Sequence, residues 1–501
     1  MYLLLLFGFI VNVFGNKCSL KKHSQFYLQN KFEPIMEEKT LKITNNKELF
    51  QKLDGSFFAQ IGSNPKYIEN QDYHWFDGDG MIHAILINKT FATYQNKWVQ
   101  TKRLQTENKW KRKMYAYFGE LRGINGIFQA IKYSLFEKIG ITSKDKGTAN
   151  TAMLYWNKKL YALQEGDKPY EMAINYTDFN LSTKGRLNKY DNIFSTSAHP
   201  IIDNNRDLLY LYGYNNYDFS EGKFIFNVFN KEMELLNQRN ISLLNNGMIH
   251  EACFTGNKMI IPDLPLKYDT SKMIEGELPL YFDKNNGTTR FGLFDVTNQN
   301  SPIDWYYFKE NFFIFHFIKS FEKGDFIIIY ACVMETAYLS DFIELDVEKN
   351  PSKSIRGKIR LKELIIDTKK NITYINENAI LQETTLGFDY NLDFPVKSKM
   401  NPNDIYLSIF NATSGYIVGY VKFNINNFLY SIPDMYLFEN SHYGNSEPQV
   451  VIIDNKEYLL TFTNDDHQSY LSLIHIANKT IENLVIEERI PPGFHSIYIS
   501  D

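Results

Sequence analysis

Apolar residues along this chain come in short runs, continuous or alternating with polar residues, and most runs are bounded by Asn, Asp, Gly or Pro. Lys223 to Phe229, Asn311 to Ile318, Asp325 to Val333 and Tyr458 to Thr463 are examples. Runs of this length and spacing are strand signals, and they predict an all-β fold. The loops Asp77-Gly78-Asp79-Gly80 and Lys284-Asn285-Asn286-Gly287 predict turns with positive φ, which Gly and Asn tolerate. The Asp77/Asp79 pair lacks the other ligand positions of an EF-hand loop, so a turn is its expected role.

One segment departs from the β pattern. Ile124, Ile127, Phe128, Ile131, Leu135 and Ile139 recur at intervals of three and four, which predicts a helix of about four turns with an apolar stripe. Two roles for the stripe stay open: packing on the core, or peripheral contact with a membrane, with Lys132 and Lys138 on its flank. At the start of the chain, the apolar run from Tyr2 to Phe14 has the length of a signal h-region and falls short of the ~20 residues that span a bilayer. With Val13 and Gly15 shaped as a cleavage site, residues 1–15 are expected to be a signal peptide that sends the chain into the secretory pathway. An uncleaved anchor or a mispredicted start codon is the alternative reading of the run, and a cytoplasmic, membrane-associated protein is the alternative location. Residues 16–501 show no linker, no compositional shift and no visible repeat. A length of 501 residues is compatible with about three domains, but one continuous domain is the economical expectation.

Composition adds one positive indication and several exclusions. The 39 Phe and 34 Tyr make the chain 16% aromatic, more than a core needs, and aromatic rings line apolar cavities. A large apolar pocket is therefore expected, although a coding bias that raises Phe, Tyr, Asn, Lys and Ile together accounts for part of the excess. The net charge of -4, with no basic stripe, excludes nucleic acid as a partner. Cys18, Cys253 and Cys332 are too few for a disulfide framework, and the last two lie in apolar runs that read as packing. Glycan acceptor motifs occur at Asn88, Asn175, Asn180, Asn240, Asn286, Asn371, Asn411 and Asn478, and they matter only in a secreted chain.

Local catalytic motifs are missing: no HExxH, no CxxC, no Gly-x-Ser-x-Gly and no phosphate loop. Among the ten histidines no pair has the short spacing of a metal signature. A metal site must then be assembled from distant segments, as when each blade of a propeller supplies one residue near the axis.

Four histidines have neighbours that make the chain resemble the carotenoid cleavage oxygenases. They are Ser197-Ala198-His199-Pro200; Met248-Ile249-His250, followed by Glu251-Ala252-Cys253-Phe254-Thr255 and by Asp263-Leu264-Pro265; Phe313-Ile314-Phe315-His316-Phe317; and Ile490-Pro491-Pro492-Gly493-Phe494-His495. The similarity continues through Gly62 to Tyr67, Tyr73 to Ile85, Thr101 to Leu104, Thr148 to Met172 and Asp304 to Val333. It is strongest to the plant-type branch that cuts the 9,10 and 9′,10′ bonds.

The resemblance implies a seven-bladed β-propeller with a helical and loop dome over a central iron(II) held by His199, His250, His316 and His495. About 70 residues per blade exceed the ~40 to 50 of compact repeats, so insertions would build the dome and hide any repeat. It further implies acidic partners for the ring nitrogens that face away from the metal: Glu165 for His250, Asp393 for His316 and Glu447 for His495. Asp393 departs from the Glu of most members, and Glu251 stands where Asp is usual. Thr151 matches a residue that in some members occludes one coordination position; the plain alternative is a β-branched strand residue. Imidazole ligands alone would hold copper more tightly than iron, so the metal is implied by the resemblance only. The implied activity is cleavage of a carbon–carbon double bond of a carotenoid or apocarotenoid by O2, giving aldehydes or ketones. Stilbene cleavage and non-catalytic polyene binding are the alternatives.

Overall fold

The computed structural model describes residues 26–500 apart from 69–71, 188–194, 216–217, 299, 338, 340–357, 378–389, 413, 429–432 and 440. The leader 1–15, Cys18 and His23 lie outside the described residues.

Among the described residues the strands form seven sheets. Four of them have four strands each and make blade 1 (152–186), blade 2 (201–243), blade 3 (253–307) and blade 4 (313–377). The nine-stranded sheet holds two blades, 5 (390–437) and 6 (449–486). They are joined by the short strand Tyr443–Gly444, which pairs with Ile417 on one side and with Thr463 and Asn464 on the other. The five-stranded sheet is blade 7, in which 40–98 combine with the last strand, Ser496–Ile499. The remaining two-stranded sheet, Leu266–Tyr268 with Leu280–Phe282, belongs to the insertions. The expected all-β, seven-bladed propeller is what the chain forms.

The runs that are apolar at every position have a direct explanation. Successive strand residues point to opposite faces, and in a ring of blades both faces of each sheet are covered. Leu209 and Leu211 pack against blade 1, while Tyr210 and Tyr212 pack against blade 3. Leu459 joins the cluster shared with blade 5, and its neighbour Leu460 joins the cluster shared with blade 7. Phe58 faces blade 6, whereas Phe57 and Ala59 face blade 1. The succession of clusters returns to its start, which closes the ring.

Closure is also a hydrogen-bonded event. Ser496–Ile499 pairs antiparallel with Phe57 to Gln60, so the two ends of the fold share one sheet. Beside that seam Gly62 and Gly493 nearly touch: a Cβ on Gly62 would lie 2.7 Å from the Gly493 Cα.

Two expectations need correction. Gly78, Gly80 and Gly287 do not have positive φ. They are glycines because other backbone and side chains crowd them: a Cβ on Gly80 would meet the Ala149 carbonyl at 2.2 Å, and one on Gly287 would meet Pro265 at 2.3 Å. Asp77 and Asp79 do more than turn the chain, since both are buried and accept backbone N–H groups from Phe118, Gly119 and Lys66.

The periodic segment forms the helix Gly123–Lys138, as expected, but its apolar stripe is not packed on the core. Only Gly126 and Tyr133 are buried, while Ile124, Ile131, Leu135 and Ile139 are 38 to 61% exposed. No described helix is long and apolar enough to cross a membrane.

Deleting residues 496–501 keeps every histidine of the chain but removes the strand that seals blade 7. The variant should unfold at a clearly lower temperature than the full chain in a calorimetric scan, because its partner strand is left with an open edge. An unchanged midpoint would show that the ring does not depend on this pairing.

Candidate metal centre

The candidate residues sit where the chain enters the end strand of a blade. His199 precedes Ile201–Asp203 of blade 2, His250 precedes Cys253–Thr255 of blade 3, and His495 directly precedes Ser496–Ile499 of blade 7. His316 lies within Phe313–Lys323 of blade 4. There the register with the neighbouring strand shifts between Ile314 and Phe317 and again before Lys319. Such a bulge re-aims a side chain that regular pleating would turn elsewhere. Blade 5 uses the same device, with a shift between Asp393 and Val396 and a φ of 54° at Phe394, a costly conformation for a bulky residue.

These placements bring four ring nitrogens, from His199, His250, His316 and His495, within 4.8 Å of one another. The Nε2 atoms of His199 and His250 are 3.0 Å apart, and those of His250 and His316 are 3.2 Å apart. Four neutral imidazoles without a thiolate form a donor set that suits a divalent transition metal. The cluster could hold one ion at its centre.

On the far side of the rings stand the carboxylates. Glu165 Oε1 is 2.5 Å from His250 Nδ1, Asp393 Oδ1 is 2.6 Å from His316 Nδ1, and Glu447 Oε2 is 3.1 Å from His495 Nδ1. Each arrangement fixes Nδ1 as the protonated nitrogen and leaves Nε2 free to bind a metal. The shorter Asp at 393 still reaches its histidine, since the bulge and the turned Phe394 carry the backbone inward. His199 has no such partner among the described carboxylates.

Burial and charge act against each other here. Desolvation and the other three imidazoles hold His199 well below the usual imidazole range. Desolvation also lowers His250, against the opposing pull of Glu165. At His316 desolvation is outweighed by Asp393, with help from Glu251 and Glu447, and the ring is raised to about 9.

Three ties were not legible in the sequence. Ser197 Oγ accepts the His199 N–H at 2.9 Å and donates to the His250 carbonyl at 2.5 Å. Tyr212 Oη donates to the His199 carbonyl at 2.5 Å and accepts the Ala252 N–H at 2.8 Å, so two histidine loops share one phenol. Glu251, half-buried and pushed up to about 7 by desolvation, accepts the Phe317 N–H at 2.6 Å and links the His250 loop to the His316 strand. Only the proximity of Ser197 and Glu251 to histidines in sequence could have flagged them; Tyr212 reads as an ordinary strand residue.

Thr151 lies beside this cluster. Its hydroxyl is 3.0 Å from Asn150 Oδ1 and 3.3 Å from Glu165 Oε2, its single proton serving one acceptor at a time, and its carbonyl accepts the His495 N–H. His250, His316 and His495 open onto a cavity of about 480 Å3 walled near them by Trp75, Phe76, Met248, Phe315, Phe394 and Phe494. Its size and aromatic lining fit the pocket expected from composition. Other histidines are engaged elsewhere: His74 Nε2 with the Leu339 carbonyl, His83 with Tyr94 and His442 with Thr463.

The retinal pigment epithelial membrane protein family matches residues 37–500. The chain is 28% identical over 506 residues to the carotenoid 9,10(9′,10′)-cleavage dioxygenase of Crocus sativus, covering 95% of this chain and 89% of that one. Identity to the corresponding enzyme 1 of Pisum sativum is 27% over 535 residues, covering 98% and 92%. Among solved structures, the lignostilbene dioxygenase of Pseudomonas brassicacearum superposes with a TM-score of 0.74 at 16% identity, over 96% of this chain and 100% of that one. A cobalt-substituted apocarotenoid oxygenase of Synechocystis gives 0.74 at 18%, with the same coverage. With the match running almost from end to end, this chain belongs to the retinal pigment epithelial membrane protein family, that of the carotenoid cleavage oxygenases.

Proposed function

We propose that this protein is an iron(II)-dependent dioxygenase that cleaves one carbon–carbon double bond of a carotenoid or apocarotenoid. Each of the two carbons receives one oxygen atom of O2, so the products are two aldehydes or ketones. The observation that carries the reading is the convergence of four imidazole nitrogens at an aromatic cavity, in a chain whose curated relatives are named for this cleavage.

In this reading His199, His250, His316 and His495 hold the ion through Nε2. Iron(II) bound there supplies the unpaired-electron chemistry that lets ground-state dioxygen react with a polyene. Glu165, Asp393 and Glu447 keep three rings in the tautomer that presents a lone pair to the metal. Their negative charges also balance a dication in a site where bare charge would be costly. Phe315, Phe394, Phe494, Trp75 and Phe76 hold the polyene by apolar contact and exclude water from the reacting bond. Thr151, which lines the same cavity and holds the His495 N–H with its carbonyl, would limit how many small molecules reach a bound metal at once.

Replacing any of the four histidines by Ala should abolish metal binding and turnover, whereas His467→Ala, at an exposed surface position, should retain both. Metal analysis of the purified variants together with product chromatography decides this; full metal content in a His316 variant would refute the assignment.

Losing an acidic partner should do graded damage. Glu165→Gln, Asp393→Asn and Glu447→Gln are expected to keep some metal and to lose roughly 10- to 100-fold in metal affinity or activity. Wild-type kinetics in all three variants would remove these carboxylates from the mechanism.

Access for so apolar a substrate is the remaining need. We assign peripheral membrane contact to the stripe Ile124, Ile127, Phe128, Ile131 and Leu135. Support comes from the exposure of Ile131 and Leu135, at 61 and 53%, and from Ile274 nearby at 74%. Exposed apolar groups this close together mark interaction surfaces. Ile131→Glu combined with Leu135→Glu should abolish co-sedimentation with phosphatidylcholine vesicles while leaving turnover of detergent-dispersed substrate intact. Unaltered vesicle binding would discard the patch.

A further inference from the structure

The Asn-x-Ser/Thr motifs have no part in the cleavage chemistry, yet most of them fall on one face of the ring. The histidine face lies at the start of the innermost strands. His495 directly precedes Ser496–Ile499, Glu447 precedes Gln449–Ile453, Thr151 precedes Ala152–Trp156, and His316 lies near the start of Phe313–Lys323. Strands within a blade are antiparallel, so the third strand from the axis runs away from the histidines again, and the hairpin that joins it to the fourth lies on the opposite face. Asn88 stands at that hairpin in blade 7, Asn175 and Asn180 in blade 1, Asn371 in blade 4 and Asn478 in blade 6. Asn240 lies on the outermost strand of blade 2, Asn286 beside the insertion of blade 3, and Asn411 where the second strand of blade 5 ends on the histidine side.

The far-face sites are open to solvent. Asn175, Asn180, Asn371 and Asn478 are exposed, and half-buried Asn88 is followed by exposed Lys89 and Thr90. Asn175 uses only its Oδ1, which accepts the Thr177 N–H at 3.0 Å, and no Nδ2 of the five donates to a described residue. Asn411 differs: it is half-buried, its Oδ1 accepts the Ser414 N–H at 2.9 Å, and buried Ala412 follows it. Turn chemistry accounts for Asn at hairpin tips, as at Asn157, Asn257 and Asn455, but none of these three has a Ser or Thr two residues on. The hydroxyl residue at the far-face sites is therefore not something the turn requires. Tyr176 and Ile372, the middle residues of two of the motifs, are 51 and 43% exposed, which gives a sugar on the preceding Asn an apolar surface to cover.

We propose that the face of the propeller opposite the histidines carries N-linked glycans at Asn88, Asn371 and Asn478 and at one of Asn175 and Asn180. The last two pair directly across their hairpin, where side chains stand too close for two glycans. In the transfer, Nδ2 forms a bond to C1 of the first sugar of a lipid-linked oligosaccharide diphosphate. The bond from C1 to the diphosphate oxygen breaks, the diphosphate leaves with the electron pair, and one amide proton passes to a base of the transferase. The proposal needs the chain to enter the secretory pathway, as residues 1–15 are expected to direct, and it is independent of the cleavage reading. Ser134 and Glu137 place the helix Gly123–Lys138 at the cavity, so the stripe assigned to membrane contact and the glycans lie on opposite sides of the ring and do not obstruct each other.

The test uses the full chain with its own leader, produced in cultured mammalian cells. Peptide-N-glycosidase F in heavy-oxygen water converts each glycosylated Asn to a labelled Asp, and peptide mass spectrometry locates the label. Label is expected at Asn88, Asn371 and Asn478 and at Asn175 or Asn180, with none at Asn411. A second chain, in which a signal sequence of established activity replaces residues 1–15, is treated in the same way. An unlabelled first chain overturns the proposal, and the second then tells whether routing or the surface is at fault. Label at Asn411, or far-face sites unlabelled in both chains, overturns the placement. The combined variant Asn88→Gln, Asn175→Gln, Asn180→Gln, Asn371→Gln and Asn478→Gln should migrate faster than the parent chain in a denaturing gel before the glycosidase is added. Unchanged mobility of that variant would also overturn the proposal.

Discussion

Everything at the centre of this molecule depends on a closed ring of blades. The four histidines come from blades 2, 3, 4 and 7, and the three carboxylates behind them come from blades 1, 5 and 6. Each blade supplies one polar residue, and no two of the four histidines are neighbours in sequence. The nitrogens share a space of 4.8 Å only if every blade holds its place, and the seam between Ser496–Ile499 and the strand Phe57–Ser63 is what keeps the circle from opening. His495 is attached directly to that seam, so the last element to join the sheet also delivers a donor to the cluster.

Within the ring, electrostatics and backbone geometry reinforce each other. Burial lowers the proton affinity of His199 and His250, whereas Asp393 raises that of His316 against the same desolvation. The result is a cluster of ring nitrogens with carboxylates held behind three of them, a donor set that could hold a metal ion. The bulges that aim His316 and Asp393, and the unusual backbone of Phe394, are local departures from regular pleating at the positions where regularity would misdirect a side chain.

Much of this was legible in the amino-acid sequence, for physical reasons. Strands covered on both faces must be apolar at nearly every position, so runs such as Asp325 to Val333 stood out. The four histidine contexts and the acidic positions Glu165, Asp393 and Glu447 carried over by resemblance, since a polar residue within an apolar setting needs a partner to persist. What could not be read was anything set by approach from elsewhere. Gly80 and Gly287 were expected to serve positive φ, whereas their lack of a side chain leaves room for Ala149 and Pro265, which are remote in sequence. Tyr212 bridges two histidine loops with one hydroxyl, yet in sequence it is one aromatic among many. The helix Gly123–Lys138 was predicted with its stripe, but periodicity says only that a stripe exists, and exposure of Ile131 and Leu135 depends on what the rest of the chain leaves uncovered.

The two-residue strand Tyr443–Gly444 carries a separate implication. By bonding to Ile417 on one side and to Thr463 and Asn464 on the other, it turns blades 5 and 6 into a single hydrogen-bonded sheet. Among the described residues no other neighbouring blades share a sheet; they meet through packing, side-chain bonds and isolated backbone bonds such as that of the His495 N–H to the Thr151 carbonyl, and a blade that loosens need not break its neighbour's strand ladder. Here the two must open together. Blades 5 and 6 therefore form one cooperative unit, whose amides exchange with solvent as a block, and since that unit carries both Asp393 and Glu447, the electrostatic support of two histidines is kept or lost in a single event.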